Sequence, residues 1–163
     1  MHPLETLTSK EVIQQIDHWI NKFPGNQRQS AILPAMLALQ EANQGWLSDA
    51  LIQALADYLH ISSVDAYGVA TFYSMIELSP VGRHKISVCT NISCMLNGSD
   101  EIVNHLEKKC HAKLGETSND GKFTLREVEC MGACIGAPML EYNNKYYEKL
   151  TLEKVDELLE TME

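Results

Sequence analysis

The chain has 163 residues, of which 45% are hydrophobic and 21% charged, and its formal net charge is −9. This composition fits an ordinary globular protein and excludes general disorder. The acidic balance, without a local cluster of Lys and Arg, argues against a nucleic-acid partner, because phosphate binding depends on such clusters. No apolar run approaches the roughly 20 residues of a membrane span, so we expect no direct insertion into a bilayer.

The five cysteines indicate metal or redox chemistry. The amino-terminal stretch has neither a basic start nor a continuous apolar segment, so we expect no secretory signal and a reducing compartment. Stable disulfides are not expected there, which favours metal or redox roles for the thiols. The cysteines are Cys89, Cys94, Cys110, Cys130 and Cys134. The odd count suggests four cooperating thiols and one separate thiol.

The first 80 residues have the apolar spacing of amphipathic helices. Four helices are predicted: one capped by Ser9, one over about 28–43, one capped by Ser48, and one over about 64–75 capped by Ser62 or Ser63. Pro34, inside the second, indicates either a kink or a late helix start. The short loops between these segments predict a compact N-terminal helical bundle, which we assign to residues 1–80.

From about residue 81 the pattern changes to short strands separated by a helix and turns. The predicted order is a strand at KISVC (85–89), a helix at 99–110, a strand at FTLREVEC (123–130), a hairpin turning at Asn143 and Asn144, and a helix capped by Thr151. A crossover helix allows the first two strands to be parallel neighbours. This βαβ-ββα order is that of a small thioredoxin-like domain, so we expect an α/β fold for residues 81–163.

Four cysteines flank the ends of the two predicted strands. Cys89 ends the first strand and Cys94 lies in the next loop, whereas Cys130 ends the second strand and Cys134 lies in the loop after it. If the strands are parallel neighbours, all four sulfurs emerge at the end of the sheet where α/β folds place ligand sites. The sequence therefore predicts one four-cysteine site. Cys110, on an apolar helix face, is expected to be a buried structural thiol.

Four convergent thiolates suit either zinc or an iron–sulfur cluster. Structural zinc sites commonly use cysteine pairs with two intervening residues, and neither the C-x4-C pair nor the C-x3-C pair has that spacing. A 2Fe-2S cluster takes two cysteines at each iron, so wider pairs from two loops fit it. Gly132, Ala133, Thr90, Asn91 and Ser93 could donate hydrogen bonds to the sulfurs. We favour 2Fe-2S over zinc, with unliganded or disulfide-bonded cysteines as a third alternative.

The sequence contains no motif for other redox or nucleotide chemistry. It has no C-x-x-C, as a dithiol enzyme would need, and neither of the glycine-rich nucleotide-binding patterns. The six histidines are scattered, which disfavours a Rieske-type site. We expect no catalytic acid, base or nucleophile, and outer-sphere electron transfer requires none.

Longer motifs around the cysteines resemble those of a known family. They are GWLS (45–48), ATFYSM (70–75), PVGRHKISVCTNISC (80–94), FTLREVECMGACIGAP (123–138) and YYEKLT (146–151). Together they resemble the small thioredoxin-like 2Fe-2S subunit of NADH:quinone oxidoreductase, respiratory complex I, over essentially the whole chain. The resemblance implies that Cys89, Cys94, Cys130 and Cys134 ligate one 2Fe-2S cluster.

The resemblance also implies a partner and a location. The partner would be a flavoprotein subunit that holds FMN, the NADH site and a 4Fe-4S cluster, and the N-terminal helices would pack against it. Both would belong to the peripheral arm of complex I at the cytoplasmic face of the inner membrane. This chain would be an electron-transfer subunit without a complete active site of its own. Two alternatives stay open: the equivalent diaphorase subunit of an NAD-linked hydrogenase or formate dehydrogenase, and a zinc-stabilised assembly module.

Overall fold

The chain forms two compact units. The computed structural model describes residues 2 to 162, and the units are Met1–Pro80 and Val81–Glu163. Each unit has its own cluster of buried apolar side chains. None of the helices between residues 2 and 162 is both long enough and apolar enough to cross a membrane.

The first unit consists of helices. They are α1 (Pro3–Leu7), α2 (Lys10–Ile20), α3 (Ile32–Ala42), α4 (Asp49–Leu59) and α5 (Ser63–Phe72), and a 3-10 turn at Arg28–Ala31 precedes α3. The side chains of Ser9, Ser48 and Ser62 each accept a hydrogen bond from a backbone N–H in the first turn of the following helix. These caps confirm the predicted starts of three helices.

Two details of the first unit go beyond the sequence pattern. The helix α1 has five residues, too few to show helical periodicity, and is stabilised at its start by a capping box between His2 and Glu5. Pro34 lies in the first turn of α3, where its missing N–H removes no helical hydrogen bond. The late helix start, rather than the kink, is therefore the correct alternative.

The core of the first unit is made by the apolar faces of its helices. Ile16, Met36, Leu39 and Leu55, from α2, α3 and α4, are at most 1% exposed. Within each of these helices, buried residues recur at three- and four-residue spacing, as at Ile16 and Ile20 of α2 and at Leu51, Leu55 and Leu59 of α4. Burying a side chain of this size stabilises the fold by about 1.5–3 kcal/mol relative to leaving it in water.

The second unit contains one mixed sheet. Its strands are β1 (His84–Cys89), β2 (Phe123–Val128), β3 (Leu140–Tyr142) and β4 (Lys145–Tyr147), in the order β2-β1-β3-β4. The strands β1 and β2 are parallel, and Cys89 is opposite Val128. The strand β3 is antiparallel to both β1 and β4, and Asn143 and Asn144 turn the hairpin with positive φ angles. The predicted βαβ-ββα topology is confirmed.

Helices complete the second unit. They are α6 (Ile92–Leu96), α7 (Ser99–Cys110) and α8 (Leu152–Glu160). Leu106 of α7 and Val155 of α8 pack with Ile86 and Leu125 of the sheet in one core. The helix α7 lies in the crossover from β1 to β2, which allows the two strands to run parallel and brings their carboxyl ends together.

Candidate metal centre

The predicted ligand cysteines lie beyond the carboxyl ends of the two parallel strands. Cys89 is the last residue of β1, as expected. The strand β2 ends at Val128, two residues before Cys130, so the expectation that Cys130 ends the second strand is wrong. Because Cys89 is opposite Val128 in the sheet, the loop that carries Cys130 still begins beside Cys89.

Cys94 lies in the short helix α6 and not in a loop, which corrects the sequence prediction. Apolar residues at Ile92, Met95 and Leu96 have helical spacing, but five residues are too few for this pattern to be distinctive. The helix leaves Cys94 only 2% exposed. Cys134 begins a 3-10 turn, Cys134–Gly136.

The structure brings all four cysteines to one cleft. Its lining consists of Cys89, Cys94, Cys130 and Cys134 together with Asn91, Ser93, Met131, Gly132, Ala133 and Met139. The cleft encloses about 210 Å³, including the part that is open to solvent. Gly132 has a φ of 79°, a left-handed conformation that glycine adopts without steric cost. The small residues of the loop therefore shape the backbone around the cleft.

The four thiols form two unlike pairs. Cys89 and Cys94 are buried, and burial, followed by the effect of the neighbouring Cys89 thiol, raises the pKa of the Cys94 thiol to about 11. Cys130 and Cys134 are exposed, and their sulfurs are 3.9 Å apart. Two thiolates on one tetrahedral metal with bonds of about 2.3 Å are about 3.8 Å apart. The exposed pair is thus already spaced to share a metal ion.

The arrangement of the donors fits a cluster of two irons. Within residues 2–162, no three or more Cys, His, Asp or Glu side chains are grouped closely enough to hold a single metal ion. The thiols instead form two pairs at one cleft, and a 2Fe-2S cluster takes two cysteines at each iron. Soft sulfur donors of this kind suit iron–sulfur chemistry.

Side-chain hydrogen bonds join the segments that carry the cysteines. Thr90 Oγ1 donates to Glu127 Oε1 at 2.7 Å, and Asn91 Nδ2 donates to Glu129 Oε2 at 3.0 Å. Thr90 and Asn91 are predicted from the sequence as donors to sulfur, whereas the structure directs these donors to carboxylates. No sequence pattern identifies Glu127 and Glu129 as site residues. Their contacts with Thr90 and Asn91 span nearly 40 residues and depend on the sheet register.

The hairpin also contacts the site. The hydroxyl of Tyr146 in β4 donates to the carbonyl oxygen of Met131, which follows Cys130, at 2.9 Å. The Ala137–Pro138 peptide bond is cis. A Cβ on Gly136 would overlap the side chain of Glu148, so glycine permits this close approach.

Cys110 is separate from the cleft. It is 2% exposed and packs in the core of the second unit with residues such as Leu106. Burial raises the pKa of its thiol to about 11. The predicted burial of the fifth cysteine is confirmed.

Fold and site together define a class of protein. A small α/β domain with thioredoxin-like topology carries four cysteines in one cleft at the ends of two parallel strands. The sequence model of the thioredoxin-like [2Fe-2S] ferredoxin family matches residues 16–163 of this chain.

Relatives of known name narrow this class. A Rickettsia typhi protein, named as the E subunit of NADH-quinone oxidoreductase, is 48% identical over 141 residues, covering 86% of this chain and 83% of that protein. A Dictyostelium discoideum protein named NADH dehydrogenase [ubiquinone] flavoprotein 2, mitochondrial, is 38% identical over 152 residues, covering 93% of this chain and 62% of that protein. The chain therefore belongs to the thioredoxin-like [2Fe-2S] ferredoxin family and, within it, to the E subunits of NADH-quinone oxidoreductase.

A solved structure shares the fold. A chain of an NAD+-reducing [NiFe]-hydrogenase superposes with a TM-score of 0.66 at 20% identity, covering 78% of this chain and 22% of that chain. The predicted family, the thioredoxin-like 2Fe-2S fold, the class of cofactor and the role as an electron-transfer subunit of an oxidoreductase are confirmed by the family match and the named relatives.

Proposed function

We propose that this chain holds one 2Fe-2S cluster on Cys89, Cys94, Cys130 and Cys134, and that it exchanges single electrons with the FMN of a partner flavoprotein subunit in NADH:quinone oxidoreductase. The observation that carries the proposal is the meeting of these four cysteines in one cleft. One-electron redox chemistry would come from the bound cluster.

The residues of the chain supply binding, shielding and electrostatics. We assign Cys130 and Cys134 to one iron because their sulfurs are 3.9 Å apart, and Cys89 and Cys94 to the other. Met139 packs with the buried pair and keeps water away from that side. The exposed pair leaves the other side at the surface. The carboxylates of Glu127 and Glu129 lie beside the cysteine segments and would disfavour added negative charge on a bound cluster. They would therefore lower the reduction potential of the cluster.

Metal analysis combined with EPR of the dithionite-reduced protein tests the cofactor assignment. We expect about two irons per chain, a red-brown colour and a paramagnetic signal. Zinc at about one per chain, without colour or signal, would instead support the zinc-stabilised assembly module.

The proposed partner is a flavoprotein subunit that binds FMN and NADH and carries a 4Fe-4S cluster. In support, α5 presents an apolar stripe to solvent: Val64 and Phe72 are each 79% exposed. Gly68, which lies between them, has no heavy atom within 4 Å of the place where a Cβ would lie. Positions four and eight residues apart lie on one side of a helix. Exposed apolar and aromatic side chains of this kind are typical of protein interfaces.

Substitution in this stripe tests the partner surface. Phe72→Asp should weaken binding to the flavoprotein subunit by roughly tenfold or more, because it places a charge in an apolar contact. Gln14→Asp is the control, since Gln14 is exposed on α2 and the change adds the same charge elsewhere on the unit. Wild-type binding by Phe72→Asp would reject the stripe as the docking surface.

We also propose that the complex is the peripheral arm of complex I at the cytoplasmic face of the inner membrane. The relatives named as E subunits of NADH-quinone oxidoreductase favour this parent complex over an NAD-linked hydrogenase or formate dehydrogenase. Isolation of the tagged chain from its own cells, with identification of the co-purified subunits, tests this choice. Recovery with hydrogenase or formate dehydrogenase subunits would overturn it.

A further inference from the structure

The loop that carries the exposed cysteines has little burial to hold it. Glu129, Cys130, Gly132 and Cys134 are exposed, and Met131 and Ala133 between them are only partly buried against the cleft. Within residues 2–162, the hydrogen bonds that reach positions 129–131 from other segments are donated by side chains. The position of this loop therefore depends on a few specific bonds.

Asn91 makes one of these bonds in place of the helix-capping hydrogen bond that is common for asparagine at its position. It occupies the N-cap position of α6, where an asparagine side chain usually accepts from the first turn of the helix. Its side chain makes no capping hydrogen bond here. The amide instead reaches across to Glu129, which precedes Cys130, at 3.0 Å.

Tyr146 makes the second bond from a different element. Its side chain is 53% exposed, so burial does not explain why it lies over the cysteine loop. Its hydroxyl donates to the carbonyl oxygen of Met131, the residue that follows Cys130. The Tyr146 bond is to the backbone of residue 131 and the Asn91 bond is to the side chain of residue 129, so the two contacts lie on either side of Cys130. The Cys89 sulfur also donates to the carbonyl oxygen of Glu129, at 3.2 Å.

We propose that Asn91 and Tyr146 are positioning residues, which hold residues 129–131 against α6 and the hairpin and thereby set the placement of Cys130 and Cys134 relative to Cys89 and Cys94. This inference rests on the proposed function, because the placement matters if the four thiols share one cluster. Neither residue is itself a proposed ligand. Each acts through the loop that it holds.

Tyr146→Phe tests the contact from the hairpin, because it removes one hydroxyl and keeps the ring. We expect faster amide hydrogen exchange at residues 129–134 and several-fold faster release of iron from the purified protein to a chelator. Tyr147→Phe is the matched control: it removes a hydroxyl from the next residue of β4, whose ring packs against the core of the second unit. The control should match wild type in both measurements.

A small set of variants tests the contact from α6. Asn91→Ala and Glu129→Ala should each raise hydrogen exchange and iron release, and the double variant should be no worse than either single variant, because both remove the same bond. Glu129→Gln keeps an acceptor for the Asn91 amide without the charge, and it should retain slow exchange. This last variant separates a positioning role from an effect of charge.

The outcomes distinguish the inference from the proposed function. Wild-type exchange in Tyr146→Phe and Asn91→Ala would overturn the inference, and so would faster exchange with unchanged iron release. A wild-type protein without iron would instead overturn the proposed function. Hydrogen exchange would in that case still decide whether the two side chains hold the loop.

Discussion

At the scale of single residues, a thiol is identified by its neighbours and not by its own properties. Cys94 and Cys110 are each 2% exposed, and burial raises the pKa of both thiols to about 11. Cys94 lines a cleft with three other sulfurs, whereas Cys110 packs among apolar side chains. The presence of three other cysteines beside it therefore distinguishes Cys94, a site residue, from Cys110, a core residue.

Cys130→Ser should abolish stable cluster binding. Loss of a direct ligand should cost at least the roughly 10–100-fold in metal affinity that loss of an outer partner costs. Iron content and visible absorbance of the purified protein measure the effect. Cys110→Ala is the control and should retain iron, since Cys110 lies outside the cleft. Equal iron in both variants would contradict the assignment.

A buried polar side chain in the first unit offers a test of stability. Gln40 is 8% exposed; its Nε2 donates to the carbonyl of Met75 at 3.0 Å, and its Oε1 accepts from the N–H of Glu77 at 2.7 Å. Gln40→Leu would remove the acceptor of the buried Glu77 N–H and the donor to the part-buried carbonyl of Met75. We expect a loss of about 2–3 kcal/mol in the free energy of unfolding.

Chemical denaturation of both the Gln40→Leu protein and a control measures this effect. Gln53→Leu is the control because Gln53 lies on the exposed face of α4, where its side chain donates to Asp57 of the same helix. It should change stability by less than about 0.5 kcal/mol. Similar effects from the two substitutions would show that the Gln40 hydrogen bonds add little.

At the scale of elements, prediction succeeds where the signal is local and long enough. Serine and threonine caps mark the starts of α2, α4, α5 and α8 because the capping side chain and its N–H partner are neighbours in sequence. The Asn143-Asn144 turn is predicted for the same reason. The helices α1 and α6 are missed, since five residues carry too little periodicity.

The start of β1 contains a buried histidine in contact with β3. His84 is 8% exposed, and its Nδ1 lies 2.7 Å from the Tyr142 hydroxyl oxygen of β3. Burial lowers the pKa of His84, and the charges of Arg83 and Lys122 lower it further. The folded protein therefore resists protonation here, whereas the unfolded chain binds a proton below about pH 6.5. Stability should fall as the pH drops from about 6.5 towards the lowered folded value.

Denaturation at a series of pH values between about 5 and 8 tests this expectation. His84→Gln removes the titrating group, and its stability should decline less than that of wild type as the pH falls. Because both proteins share every other ionisable group, the difference between their slopes isolates His84. Parallel slopes would contradict the assigned contribution.

At the scale of the whole molecule, the two units have separate cores and carry different features. The helical unit presents the apolar stripe of α5, and the second unit holds the four-cysteine cleft. We propose that residues 81–163 are a domain in their own right, since they include a complete sheet, two covering helices and their own core. A chain of this length is sufficient for independent folding.

A fragment of residues 81–163 should fold cooperatively and retain the absorbance and EPR signal of the full chain. The physical reason is that its core and its four cysteines lie within this stretch. Circular dichroism during thermal unfolding and EPR of the reduced fragment provide the measurements. A fragment that is unfolded or lacks the signal, while the full chain retains it, would show that the first unit is required.

Local sequence patterns are enough to specify the order of the main helices and strands, the pairing of strands through a crossover helix, and the four cysteines of the cleft. These features follow from periodicity, capping and spacing. Three-dimensional packing decides which cysteine pair is buried and which is exposed, and it brings Asn91 to Glu129 and Tyr146 to Met131. Such contacts join residues from different elements, so they depend on sheet register and packing, which local sequence does not encode.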